Sequence, residues 1–159
     1  MQIEIWKGPK TDMKKKDVMI EISGLYTQDN DTDSVDLVTD GTYAKDHEKY
    51  IISYEESEVT GMAGCRIKMT VDGEQSVAIA RSAPAESELV VERGVRHVCH
   101  YNTGMGFMSI GISGSRISST LDDCGGKLEF SYSLDINTAL ASENTVTVTV
   151  REIPASEAI

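Results

Sequence analysis

Positive charge is in short supply in this chain: 15 Lys and Arg face 26 Asp and Glu, a net of −11 with His neutral. A general nucleic-acid binder needs clustered Lys and Arg to displace counterions from phosphates, and an anionic membrane surface repels an acidic protein, so neither partner is expected. No run of apolar residues approaches the length that crosses a bilayer. The opening Met1-Gln2-Ile3-Glu4-Ile5-Trp6 carries acid at Glu4 and no apolar stretch follows the lysines, which is not the build of a secretory signal. Cys65, Cys99 and Cys124 are too few and too scattered for a disulfide scaffold, and they fit reduced thiols in a cytoplasmic protein. Aromatic residues are also scarce, with 2 Phe and 1 Trp beside 7 Met, so any core must be largely aliphatic and adaptable.

What is present suffices for one domain. The 159 residues are 40% hydrophobic and 26% charged, enough to build and solvate a single core. Charge is uneven along them. Residues 1–16 hold five lysines against Glu4 and Asp12, or +3, which leaves 10 basic and 24 acidic residues, or −14, for the rest. A basic end on an acidic body could dock on its own barrel or on a partner's, but the favoured reading is a solvated end before the first long strand. The expected organisation is a basic arm or extra strand over residues 1–16, a β domain over 17–153 and a tail over 154–159.

Alternation with period two dominates the text. It is clearest at Leu128, Phe130, Tyr132, Leu134 and Ile136, and again at Val146, Val148 and Val150, with polar residues between. Val18/Ile20/Ile22, Val35/Leu37, Tyr50/Ile52/Tyr54, Ile67/Met69/Val71, Val77/Ile79 and Met108/Ile110/Ile112 continue it, and residues 88–93 and 96–103 supply two further strands. Turn chemistry at Asp29-Asn30-Asp31, Asp72-Gly73 and Cys124-Gly125-Gly126 breaks these runs at short intervals, which implies antiparallel neighbours. No amphipathic helix is expected, and residues 139–144 read as at most a helical turn. A sheet of eight to ten antiparallel strands has an edge problem that closure removes, so the reading is an all-β, up-and-down antiparallel barrel.

Particular stretches carry a resemblance. Thr39-Asp40-Gly41-Thr42-Tyr43, Tyr54-Glu55-Glu56-Ser57-Glu58, Gly61-Met62-Ala63-Gly64, Glu92-Arg93-Gly94, Tyr101-Asn102-Thr103 and Gly125-Gly126 resemble the YwiB-like bacterial proteins, a family of unknown function. The resemblance spans about residues 17–152 and implies a calycin-like β-barrel of the lipocalin and streptavidin type. It implies no cofactor and no catalytic residue. A lipocalin-like pairing of an early Trp with a late Arg would involve Trp6 and Arg151.

Several constellations lack parts. Residues 29–33 resemble the start of a calcium loop, but Ser34 stands where Gly must turn the chain and Asp40 where a long Glu should reach, so a polar hairpin is expected. His97 and Cys99 share a strand face while His100 takes the other, so one strand offers at most two zinc ligands and no metal is expected. Gly111-Ile112-Ser113-Gly114 is not a nucleophile elbow.

Strand parity offers more. It places Tyr54 and Glu56 on the face of Ile52, Arg81 on that of Val77 and Ile79, Tyr132 with Phe130, and Tyr101 beside Cys99. A guanidinium for a carboxylate and tyrosines for amphipathic walls are the parts of a small-ligand site, so Arg81, Tyr54, Glu56, Tyr101 and Tyr132 are the candidate ligand-binding residues. The competing structural account, which weighs more, is that Arg81 and Glu56 pair internally or sit at strand ends in water. The leading functional reading is non-enzymatic binding of a small amphipathic or acidic molecule. One alternative is a protein-interaction scaffold, homodimer included, using the acidic surface and an exposed region at residues 55–58. The other is a hydrolase or isomerase with Glu56 or His97 as general base, which lacks an identifiable nucleophile or oxyanion donor.

Overall fold

A computed structural model describes residues 14–57, 63–83, 86–102 and 106–153. Alternating apolar residues fold these into ten strands: β1 (Lys16–Gln28), β2 (Asp31–Asp46), β3 (Lys49–Glu55), β4 (Arg66–Asp72), β5 (Ser76–Arg81), β6 (Ser87–Glu92), β7 (Arg96–Asn102), β8 (Phe107–Ser119), β9 (Gly125–Ile136) and β10 (Ala139–Glu152). Each pairs antiparallel with its neighbour in sequence, and β1 pairs with β10, so the sheet closes into an up-and-down barrel. Trp6, Glu58, Met62 and Met105, and with them the proposed Trp6–Arg151 stack, lie outside the described residues; Arg151 itself donates to Glu21 at 3.1 Å.

Tight turns follow their chemistry. Asp29 and Asn30 between β1 and β2, and Asn137 and Thr138 between β9 and β10, take positive φ in two-residue turns whose twist matches the flanking strands. The aspartates that open the calcium-like stretch therefore belong to a hairpin and the start of β2. Residues 139–144 form no helical turn but the start of β10. A register shift between Leu140 and Ser142 interrupts the two-residue rhythm there, and a similar shift between Gly114 and Arg116 interrupts β8.

Inward-facing aliphatic side chains fill the barrel. Val18, Ile20, Ile52, Met69, Val71, Val77, Val91, Ile112, Leu128, Phe130, Val148 and Val150 form one buried cluster that draws on nearly every strand. The centre is thus occupied by the protein's own side chains, as a narrow barrel allows.

One end is capped. The connection from β8 to β9 folds across it, with Leu121 against the core, while the Tyr43 hydroxyl donates to the Asp122 carbonyl at 2.7 Å and Tyr50 to Asp123 Oδ1 at 3.0 Å. Lys16 ties the same connection down through the Asp123 carbonyl and pairs with Glu152 at 2.9 Å. Tyr43 and Tyr50 stack with ring centroids 5.3 Å apart.

The wall is unequal around its circumference. β8, β9, β10, β1 and β2 are long, and β3 to β7 are short. Two seams are slight. Among the described residues, β2 pairs with β3 between Thr42 and Asp46, and β6 pairs with β7 through Ser87 and Tyr101. At the first seam, a Cβ on Gly41 would lie 2.2 Å from the Ser53 carbonyl oxygen and 2.6 Å from Ile20 Cδ1, so only glycine lets β2 pass there.

Candidate functional site

Register alone assembles the far rim, opposite the capped end. Tyr54 pairs with Ile67, Ile67 with Arg81, Arg81 with Ser87, Ser87 with Tyr101, and Tyr101 with Met108, a level row over six strands. All six positions share the parity of the core, so the row rests on it. Backbone bonds at the loop bases set the charged members: the Glu56 amide donates to the Cys65 carbonyl at 2.9 Å, and Ser82 to Arg66 at 3.0 Å.

Arg81 and Glu56 meet within this row. Arg81 Nε lies 3.4 Å from Glu56 Oε2, with the two side chains only 20% and 6% exposed. One terminal nitrogen of Arg81 donates to Ser87 Oγ at 3.2 Å, whereas Nε is buried and, among the described residues, has no acceptor in hydrogen-bonding geometry. An unmade hydrogen bond on a buried cationic donor is costly, which makes this N–H the least satisfied side-chain donor among the described rim residues. Tyr54 stands beside the pair, its phenol pushed up to about 12 chiefly by burial, then by the Glu56 charge, with Arg81 opposing.

Tyr54, Glu56, Arg81 and Tyr101 are therefore brought to one row. Tyr132 is not part of it: it stands across the barrel on β9, stacked on Phe130 at 6.2 Å, with burial raising its phenol. Ile79, Leu89, Leu134 and Val146 pack half-buried against the core and add apolar surface. Ser87 escaped the sequence reading because a lone serine carries no signal; only the register of β5 and β6 places it under Arg81.

The remaining candidates disperse. His97 Nε2 hydrogen-bonds Glu92 Oε1 at 2.7 Å near the start of β7, at the opposite end of the strands from Glu56. The two candidate bases thus share no site. Cys99 is buried beside the core and His100 faces solvent. No group of three or more His, Cys, Asp or Glu among the described residues is arranged to hold a metal ion. The supposedly exposed acidic region is half wrong: Glu55 is exposed and paired with Arg66 at 3.0 Å, but Glu56 turns inward because it continues the inward parity of Ile52 and Tyr54.

A closed ten-stranded antiparallel barrel with a filled centre and a polar rim defines the class of protein: an all-β, up-and-down barrel, the architecture that the alternation predicted. Comparison with known proteins narrows this. Residues 20–148 match the model of a domain of unknown function, DUF1934, and the chain belongs to that family. The crystal structure of the ywiB protein from Bacillus subtilis superposes with a TM-score of 0.79 at 18% identity, covering 91% of this chain and 97% of that one. No curated protein matches. The likeness confirms the fold, and the family description leaves the activity open.

Proposed function

We propose that this protein is a non-enzymatic binder of a small anionic molecule with an apolar body, held at the far rim with Arg81 as its anchor. The buried Arg81 Nε–H carries the reading: it faces Glu56 at 3.4 Å and has no acceptor in hydrogen-bonding geometry among the described residues. A carboxylate arriving beside the guanidinium gains a charge-assisted hydrogen bond that the described residues do not make. Tyr54 and Tyr101 in the same row, with Leu89 and Ile79 nearby, offer amphipathic walls for the rest of the ligand. Because aliphatic side chains occupy the barrel's centre, the ligand sits at the rim and not in a deep calyx.

Three free cysteines, two of them buried, favour a reducing compartment, and we assign the protein to the cytoplasm on that ground. The test is thermal melting against short aliphatic carboxylates, dicarboxylates and benzoate. A saturable rise in Tm with at least one of them, abolished in Arg81→Met, supports the reading. Equal responses of both proteins to every compound would remove Arg81 from it.

A further inference from the structure

β2 outruns its neighbour β3. Residues 31–40 of β2 pair with β1 without a register shift, whereas β3 joins β2 only from Thr42 onward. Among the described residues, no backbone group hydrogen-bonds the other side of 31–40. Such an edge is a template for a further strand, and proteins blunt it with proline, bulges or charge. Only charge is used here. Asp31, Asp33, Asp36 and Asp40 punctuate the edge, with no Lys, Arg or Pro among residues 31–40. Val35 and Val38 stay 51% and 63% exposed, which an edge guarded merely against self-association does not need.

Charge and parity together specify what fits. Two copies pairing about a two-fold axis would bring four aspartates from each into one strand pair with no cation between them, and like charges across a pair are unfavourable. Arg151 and Arg66 border the Asp40 end, but each is engaged, with Glu21 at 3.1 Å and Glu55 at 3.0 Å. Where β2 parts from β3, a cleft of about 390 Å³ lined by Asp40, Gly41, Tyr54, Glu55 and Glu56 extends the acidic ground. Val35 and Leu37 lie opposite Gly24 and Ile22 of β1 and share the inward parity of Ile20, while Asp36, Val38 and Asp40 point outward, opposite Ser23, Glu21 and Met19. A strand laid alongside presents alternate side chains to these two faces. Apolar residues suit the inward positions beside Val35 and Leu37, and Lys or Arg the outward ones beside Asp36 and Asp40.

We propose that the 31–40 edge of β2 accepts an extended segment of a partner protein, one in which Lys or Arg alternates with apolar residues, as a further strand of the sheet. The test is hydrogen exchange read by mass spectrometry on the full chain, with the synthetic peptide Lys-Val-Lys-Ile-Lys-Val-Lys at millimolar concentration. Every second amide of an antiparallel edge strand points away from its neighbour, so about half of the 31–40 amides should exchange fast without peptide. The peptide should slow these about tenfold. Asp36→Lys with Asp40→Lys should remove the slowing, and a peptide with Glu in place of Lys should have no effect on the parent. Amides of β9 serve as the control for intact folding, and Asp36→Asn with Asp40→Asn is the milder variant if the reversal unfolds the barrel. No slowing by the lysine peptide overturns the proposal, as does equal slowing by an N-methylated version that cannot donate backbone hydrogen bonds. Slow exchange of all the 31–40 amides before peptide is added also overturns it, because the edge is then already covered. So does protection that rises with protein concentration alongside a dimer mass in light scattering, which assigns the edge to a second copy.

Discussion

The five long strands and the five short ones solve different problems with the same two-residue alternation. In the long arc, pairing runs unbroken from Lys16 with Tyr43 to Gln28 with Asp31, and Phe130, Leu128, Val148 and Val150 bury completely. In the short arc, β3 to β6 run six or seven residues each, and the inward column that begins with Val77 ends with Arg81. The slight β2–β3 and β6–β7 seams bound β3–β6 on both sides. The difference shows where stability and recognition reside. Long strands carry the hydrophobic core past the level where the short ones have already turned polar.

Core truncation should test this contrast most strongly. Phe130→Ala in the long arc should cost about 3–5 kcal/mol in urea unfolding, and Ile79→Ala, half-buried near the short arc's rim, nearer the lower limit of about 2 kcal/mol. Equal losses would mean the two arcs share one core without distinction. Arg81→Met comes next, because it strands the Glu56 carboxylate; a loss of about 3 kcal/mol, the low end for breaking a buried pair, is expected, with Glu56→Gln on top returning most of it. Non-additivity of the two substitutions is the quantity to measure, by a double-mutant cycle.

Alkaline titration separates the two ends. Burial holds Tyr54 at the rim and Tyr50 at the cap to about 12 against an ordinary 10.0, and Tyr43 higher still. A raised folded value means stability is intact below about 10 and declines as pH climbs toward 12. Tyr54→Phe should flatten part of that decline, read as Tm between pH 9 and 11. The smallest effect is on the acid side. Arg96 grips Asp135 in a bidentate pair at 2.9 and 2.8 Å, holding the carboxyl below its ordinary 3.8. That contribution is present above the ordinary value and lost as pH falls beneath it, so Asp135→Asn and the parent should differ in Tm at pH 7 and converge near pH 2. Gly111 is the residue this pair crosses; a Cβ there would sit 2.3 Å from an Arg96 nitrogen, so Gly111→Ala should reproduce the loss.

Much of the barrel was legible because an antiparallel sheet writes its two faces directly into alternate residues. Ile52, Val77 and Phe130 revealed the inward face, and counting from them turned Tyr54, Glu56 and Arg81 inward too. Parity fails wherever a residue is inserted, which is why β10 was missed between residues 139 and 144 and β8 beyond Ile112. Lateral neighbours are a further gap. Nothing in the chain announces that Ser87 lies between Arg81 and Tyr101, since register is set by turns and seams elsewhere. The cap was hidden for a related reason: Asp122 offers a backbone carbonyl to Tyr43, and a main-chain acceptor has no residue signature.

The zipping of the first strand to the last has a practical corollary for engineering. Val18 lies opposite Glu152, and Lys16 clasps the same glutamate, so the described ends of the barrel are neighbours in space. A short Gly-Ser bridge there would turn the polypeptide into a loop without beginning or end, and it could be reopened at the exposed Asp29-Asn30 turn. Such a circular permutant keeps every strand partnership, and its refolding would tell whether chain order matters to this architecture or only ring order does.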